Sequence, residues 1–197
     1  MPESICVETF SELQIQVRIY NSNMSFKLTD KEIWHSTLIF AGVGLVLSLP
    51  LLWLYQQTTF LRSIRSLSMA SAIFWGFLAT VALWAGWQVY YQYLYPAWAR
   101  WLAPGDALIY GLFGFAMWWL AACLPGLPIL WFLLFGGLEG ILEHIFGVYG
   151  LHILEKVPWL QGTTPLPVIV FSFFEYIVYW AIVAWMSYVW LVIRGVP

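Results

Sequence analysis

The sequence predicts an all-α, polytopic membrane protein, a bundle of about five transmembrane helices. Three observations predict it. First, 62% of the 197 residues are hydrophobic and 9% are charged, against roughly a quarter charged in soluble domains. A single water-surrounded core could not hide that much apolar surface. Second, apolar stretches of about twenty residues or more recur along the chain. Each is enough to cross a hydrocarbon layer of about 30 Å at about 1.5 Å per residue. Third, 14 Trp and 11 Tyr supply the amphipathic rings that favour a membrane interface. Inside lipid each span must be helical, because nothing there satisfies free backbone N–H and C=O groups.

Residues 1–33 read as a polar leader and residues 34–194 as the transmembrane domain. In the leader, residues 13–19 alternate in polarity, as a short strand or amphipathic edge would. The other reading is that Met24 is the true start. No cleavable signal peptide is visible, and Asn23-Met24-Ser25 fits a glycosylation sequon. The first span is expected over 34–55. Thr29 and Glu32 fit a capping box that opens it, and Pro50 predicts a kink in its last third. A polar link over 56–68 carries Arg62 and Arg65. The second span, 69–91, runs into an aromatic cluster between Trp84 and Trp98 that resembles an interfacial belt.

A turn at Pro104-Gly105 is expected to precede the third span, 106–124. Pro125-Gly126-Leu127-Pro128 is short and rigid, which predicts a hairpin between antiparallel helices. The fourth span is expected over 129–154, a link over 155–167, and the fifth span over 168–193. Five spans put the termini on opposite sides. Arg18, Lys27, Lys31, Arg100 and Lys156 fall on the N-terminal side, and Arg62, Arg65 and Arg194 on the other. That balance leans towards a cytoplasmic N-terminus, with the plasma (inner) membrane as the expected location.

The net charge of −2 and the lack of a basic run argue against a nucleic-acid partner. Cys6 and Cys123 stand far apart and build no disulfide framework or CxxC motif. There is no GxSxG elbow, P-loop or dinucleotide fingerprint. No internal repeat supports an inverted-repeat transporter.

The informative stretch is 136–150. On a wheel of about 100° per residue, Glu139, Glu143, His144, Gly136, Gly140, Gly147 and Gly150 share an arc of about 140° on an otherwise apolar helix. Gly136-x-x-x-Gly140 fits close helix packing, which accounts for glycines but not for carboxylates. Glu139 falls near the expected bilayer midplane, where a charged side chain costs roughly 2.5–3.5 kcal/mol on insertion scales and commonly marks a functional site. Glu175 on the fifth span lies at a similar depth, about 10–12 Å in from the N-terminal side, and Glu143 and His144 about 15 Å in. Ser172, Tyr176 and Tyr179 share a stripe with Glu175. His35, Gln88, Gln92, Asp106, His152 and Glu155 stand at the same end of their spans. A cavity open to that side, centred on Glu139, Glu143, His144 and Glu175, is therefore expected.

No Lys or Arg falls inside a predicted span, so a proton, a metal or an amine on a ligand is what could neutralise these acids. Three classes of function follow. One is binding of a lipophilic or cationic ligand, with Glu139, Glu143, His144, Glu175, Tyr176 and Tyr179 as the contact set, or a packing role in a homo-oligomer or membrane complex. The second is acid/base catalysis on a lipophilic substrate, with Glu139, Glu143, His144 and Glu175 as candidates. The third is proton or cation transport. No metal site is assigned: HExxH is absent, and Glu143 and His144 point about 100° apart. Haem ligation by His144 with His35 or His152 would need only neutral imidazoles, and no cofactor is assigned on that basis. In outline, five spans and many tryptophans resemble translocator-type tryptophan-rich proteins, and His and Glu groups in a small bundle resemble sterol-isomerase-like membrane enzymes. No motif aligns with either, and no residue role carries over.

Overall fold

The computed structural model describes residues 28–57, 69–71, 73–74, 102–151 and 163–194. The expectations for the leader, Arg62, Arg65, most of the second span with Gln88 and Gln92, Arg100, His152, Glu155 and Lys156 lie outside these residues. Every described element is helical, and no strand occurs among the described residues. Helix α1 is Asp30–Gln57, α2 is Leu102–Cys123, α3 is Pro128–Glu143 and α4 is Pro165–Ile193. Among the described residues, three helical stretches are long and apolar enough to cross a membrane: Asp30–Leu54, Pro128–Gly150 and Pro165–Ile193.

The start of α1 is the predicted capping box. Glu32 Oε2 accepts from Thr29 N–H at 2.7 Å and from the Thr29 hydroxyl at 2.8 Å. Glu32 N–H donates back to Thr29 Oγ1 at 3.4 Å. Two N-terminal donors that the helix itself cannot use are thereby satisfied. Pro50 lies inside the helix, as expected.

Two boundaries differ from expectation, and proline explains both. The expected turn at Pro104-Gly105 is instead helical, so Asp106 lies inside α2 rather than at its cap. Likewise α4 begins at Pro165, inside the expected link. Proline is tolerated in a first turn, because the N–H it lacks has no intrahelical partner there.

The predicted hairpin is present between Cys123 and Pro128. Gly126 takes a φ of 97°, a left-handed conformation open to glycine without penalty. Trp131 fastens the turn, its indole N–H donating to the Pro125 carbonyl at 2.7 Å.

Helix α4 is the hub of the bundle. It runs parallel to α1: Phe40 meets Phe171 with ring centroids 5.1 Å apart, and Trp185 donates to the Leu47 carbonyl at 3.0 Å. At the shared N-terminal end, Asp30 accepts from Thr164 N–H at 2.8 Å and from its hydroxyl at 2.7 Å. Against α3 the packing is antiparallel, with Phe132 facing Trp180 and Gly140 facing Ser172 and Tyr176.

Trp180 is fully buried where α2, α3 and α4 meet. A Cβ on Gly114 would lie 2.6 Å from its ring, and one on Gly136 would overlap it. Lipid tails are as apolar as these side chains, so helix association here rests on such close fit rather than on the hydrophobic effect. The core continues through Phe132, Trp118, Met117 and Leu133 towards the hairpin, joined by Met69, Ala70 and Ile73 of the second span. Thr37, Ser172 and Ser187 bond back within their own helices, to the carbonyls of Ile33, Ile169 and Val183.

Candidate functional site

Helix α3 does not continue as an α-helix through the predicted polar face. From His144 to Gly150 the backbone is a π-helix, closed by the Leu151 N–H donating to the Phe146 carbonyl at 2.6 Å. The i→i+5 bonding widens each turn. The wheel of about 100° per residue therefore fails beyond Glu143. Gly147 and Gly150, expected on the packed stripe with Gly136 and Gly140, are not packed on another helix among the described residues. Gly137, not expected there, is: a Cβ on it would lie 2.5 Å from the Phe173 ring.

The acids come from both sides of the α3–α4 seam. Glu139 stands midway along the membrane-length stretch Pro128–Gly150. Its Oε2 accepts from the Trp180 indole N–H at 2.6 Å. Glu143 stands one turn further along α3, and Glu175 of α4 directly precedes Tyr176, which packs against Gly140. Glu139, Glu143, His144 and Glu175 are all half-buried. The three acids are thus carried by two helices that pack closely at Gly140.

The histidine and tyrosines border the acids. His144 Nδ1 faces the Gly140 carbonyl at 3.0 Å. A carbonyl only accepts, so this is a hydrogen bond when Nδ1 carries the proton, and Nε2 is then left as an acceptor. The imidazole meets the Tyr176 ring edge to face at 6.2 Å. Tyr176 meets Tyr179 at 6.2 Å, and Tyr179 meets Trp180 at 5.1 Å. Gly140 makes this approach possible, since a Cβ there would lie 2.6 Å from both the Ser172 carbonyl oxygen and the Tyr176 ring.

His35 is exposed near the start of α1, outside this neighbourhood. Trp180 is the member that sequence reasoning missed. A tryptophan counts as apolar in a span, yet its indole N–H needs an acceptor when buried. An acid on the adjoining span was the available signal. Among the described residues no three His, Cys, Asp or Glu side chains converge as a metal ion would require. What the arrangement can do chemically is hold positive charge: carboxylates on two helices, with aromatic faces beside them.

No protein-family model, no curated protein and no solved structure matches this chain.

Proposed function

We propose that this protein binds a lipophilic amine within the membrane, with the ammonium held between Glu143 of α3 and Glu175 of α4. The observation that carries the reading is the close α3–α4 approach at Gly140 against Ser172 and Tyr176, with His144 beside Tyr176 at 6.2 Å, which sets Glu143 and Glu175, their neighbours in sequence, on facing helices of one seam. Two ionised acids would repel there in a medium of low dielectric, and a ligand cation between them would turn the repulsion into attraction. The sequences of α2, α3 and α4 contain no Lys or Arg, so these helices supply no cation of their own. The rings of Tyr176 and Tyr179 offer cation–π faces, and His144 Nε2 offers an acceptor to an ammonium N–H. The apolar remainder of the ligand suits the surrounding helices.

A second reading applies to Glu139 alone. Its short bond to the buried Trp180 indole favours a packing role there, with ligand contact left to Glu143 and Glu175. The surrounding frame is a five-span protein with a cytoplasmic N-terminus in the plasma (inner) membrane.

The test compares hexadecylamine with hexadecanol on the purified full chain in detergent, by native mass spectrometry and thermal denaturation. The amine is expected to give a bound species and a raised Tm, and the alcohol neither. Equal effects of the two would refute recognition of the positive charge.

A further inference from the structure

His144 follows Glu143 directly, and its ring is held from two sides. Nδ1 lies 3.0 Å from the Gly140 carbonyl one turn earlier. The ring also meets Tyr176 of α4 at 6.2 Å, with the two planes 87° apart. A carbonyl oxygen has no proton to give, so the neutral imidazole carries its proton on Nδ1 and its lone pair on Nε2, at the far side of the ring. The backbone bond thereby sets the tautomer. Among the described residues, the imidazole makes no hydrogen bond besides the one to Gly140.

Tyr176 links this acceptor to a second one. Glu175 precedes it on α4. Among the described residues, the half-buried Glu175 carboxylate makes no hydrogen bond and no ion pair. Acceptors without donors are costly inside a membrane, and N–H groups on a ligand are what both lack. The neighbouring rings serve a different chemistry less well. Tyr176 is packed by His144 and Tyr179, and Tyr179 by Tyr176 and Trp180. Rings engaged with one another do not form the open aromatic cage that holds a quaternary ammonium.

We propose that His144 is a specificity-determining residue of the amine site and selects ligands by their N–H donors. It favours a protonated primary amine over a quaternary ammonium of equal charge and chain length. This inference rests on the reading above and narrows its ligand class. One ammonium N–H goes to His144 Nε2 and the others to the carboxylates of Glu143 and Glu175. A trimethylammonium carries the same charge, but its methyl groups supply no such donor and hold the nitrogen farther from each oxygen.

The experiment uses the full chain in detergent at about pH 8.5, some two units above the ordinary imidazole value of about 6.5. Hexadecylamine, N,N-dimethylhexadecylamine and hexadecyltrimethylammonium form a series with falling numbers of N–H donors, the last with none. Wild type is expected to bind them in that order, with about tenfold between first and last, equivalent to about 1.4 kcal/mol. His144→Phe keeps a ring against Tyr176 and removes the acceptor. It is expected to weaken hexadecylamine several-fold and to leave the quaternary ligand within about twofold of wild type. Nitrogen NMR of the histidine-labelled wild type carries the test if that variant fails to fold: the Nε2 resonance of His144 is expected to shift with hexadecylamine and not with the quaternary ligand. Equal wild-type affinity for the two ends of the series overturns the selection and leaves the cation site. An unchanged gap in His144→Phe, equal weakening of both ligands, or an Nε2 resonance that ignores the amine overturns the role of His144. A wild-type chain that takes up no member of the series overturns the amine site as well.

Discussion

The Glu139 carboxylate on α3 accepts a 2.6 Å hydrogen bond from the Trp180 indole on α4, at the point where α2, α3 and α4 meet. Trp180→Phe keeps most of the ring volume and removes the donor. It is expected to cost about 1–3 kcal/mol, the range for leaving a buried polar group unsatisfied. Glu139→Gln keeps an acceptor oxygen and is expected to cost less. Thermal denaturation in detergent checks the order; a larger loss for Glu139→Gln would mean that the bond is not what Glu139 contributes.

The glycines of the α3–α4 seam are expected to resist the smallest enlargement. Gly137→Ala pushes a methyl group into the Phe173 ring, and overpacking of this kind costs about 1–3 kcal/mol. Adding Phe173→Leu to the same chain is expected to return part of the loss. Gly42→Ala on α1 is the comparison, since nothing among the described residues lies within 4 Å of its added Cβ. Equal Tm changes for Gly137→Ala and Gly42→Ala would contradict the close approach.

Asp30 ties the first turn of α1 to the residue preceding α4 through both of its carboxylate oxygens. Asp30→Ala is expected to speed amide hydrogen exchange at Thr164 and in the first turn of α4 as well as at the start of α1. Faster exchange confined to α1 would show that the tie does not hold the two helices together.

With five spans the termini lie on opposite sides of the membrane. A membrane-impermeant thiol reagent applied to sealed inside-out and right-side-out vesicles reads this out, using Cys6 as the only remaining thiol and, separately, an Arg194→Cys variant with Cys6 and Cys123 replaced. Labelling of the two positions from opposite sides is expected, with Cys6 reached from the cytoplasmic side. Labelling from the same side would contradict an odd number of spans.

Much of this architecture was legible because membrane constraints are written in composition. Apolar length marked α1, α4 and the stretch made by α3 with its π continuation to within a few residues. Side-chain hydrogen bonding marked the Thr29–Glu32 box, and Pro125–Pro128 marked the hairpin. Glu139, Glu143 and Glu175 stood out as acids in apolar spans, and each lies half-buried in α3 or α4. Other features had no such signal. The π segment after Glu143 depends on a change of hydrogen-bond register, which hydropathy does not encode, so the positions of Gly147 and Gly150 were misjudged. Gly137 was overlooked because its partner, Phe173, is one apolar residue among many. The helical placement of Pro104 and Pro165 turns on whether a proline falls before a helix or in its first turn, and spacing alone does not separate the two.

The central claim is that Glu143 and Glu175, on different helices, serve one ligand. The most direct measurement is a double-mutant cycle on hexadecylamine affinity with Glu143→Gln, Glu175→Gln and the pair. Groups that share one ammonium couple, and the account predicts a coupling free energy above about 0.5 kcal/mol, with each single variant still folded. Losses that add to within about 0.3–0.5 kcal/mol, or singles that lose stability while keeping wild-type affinity, would contradict it.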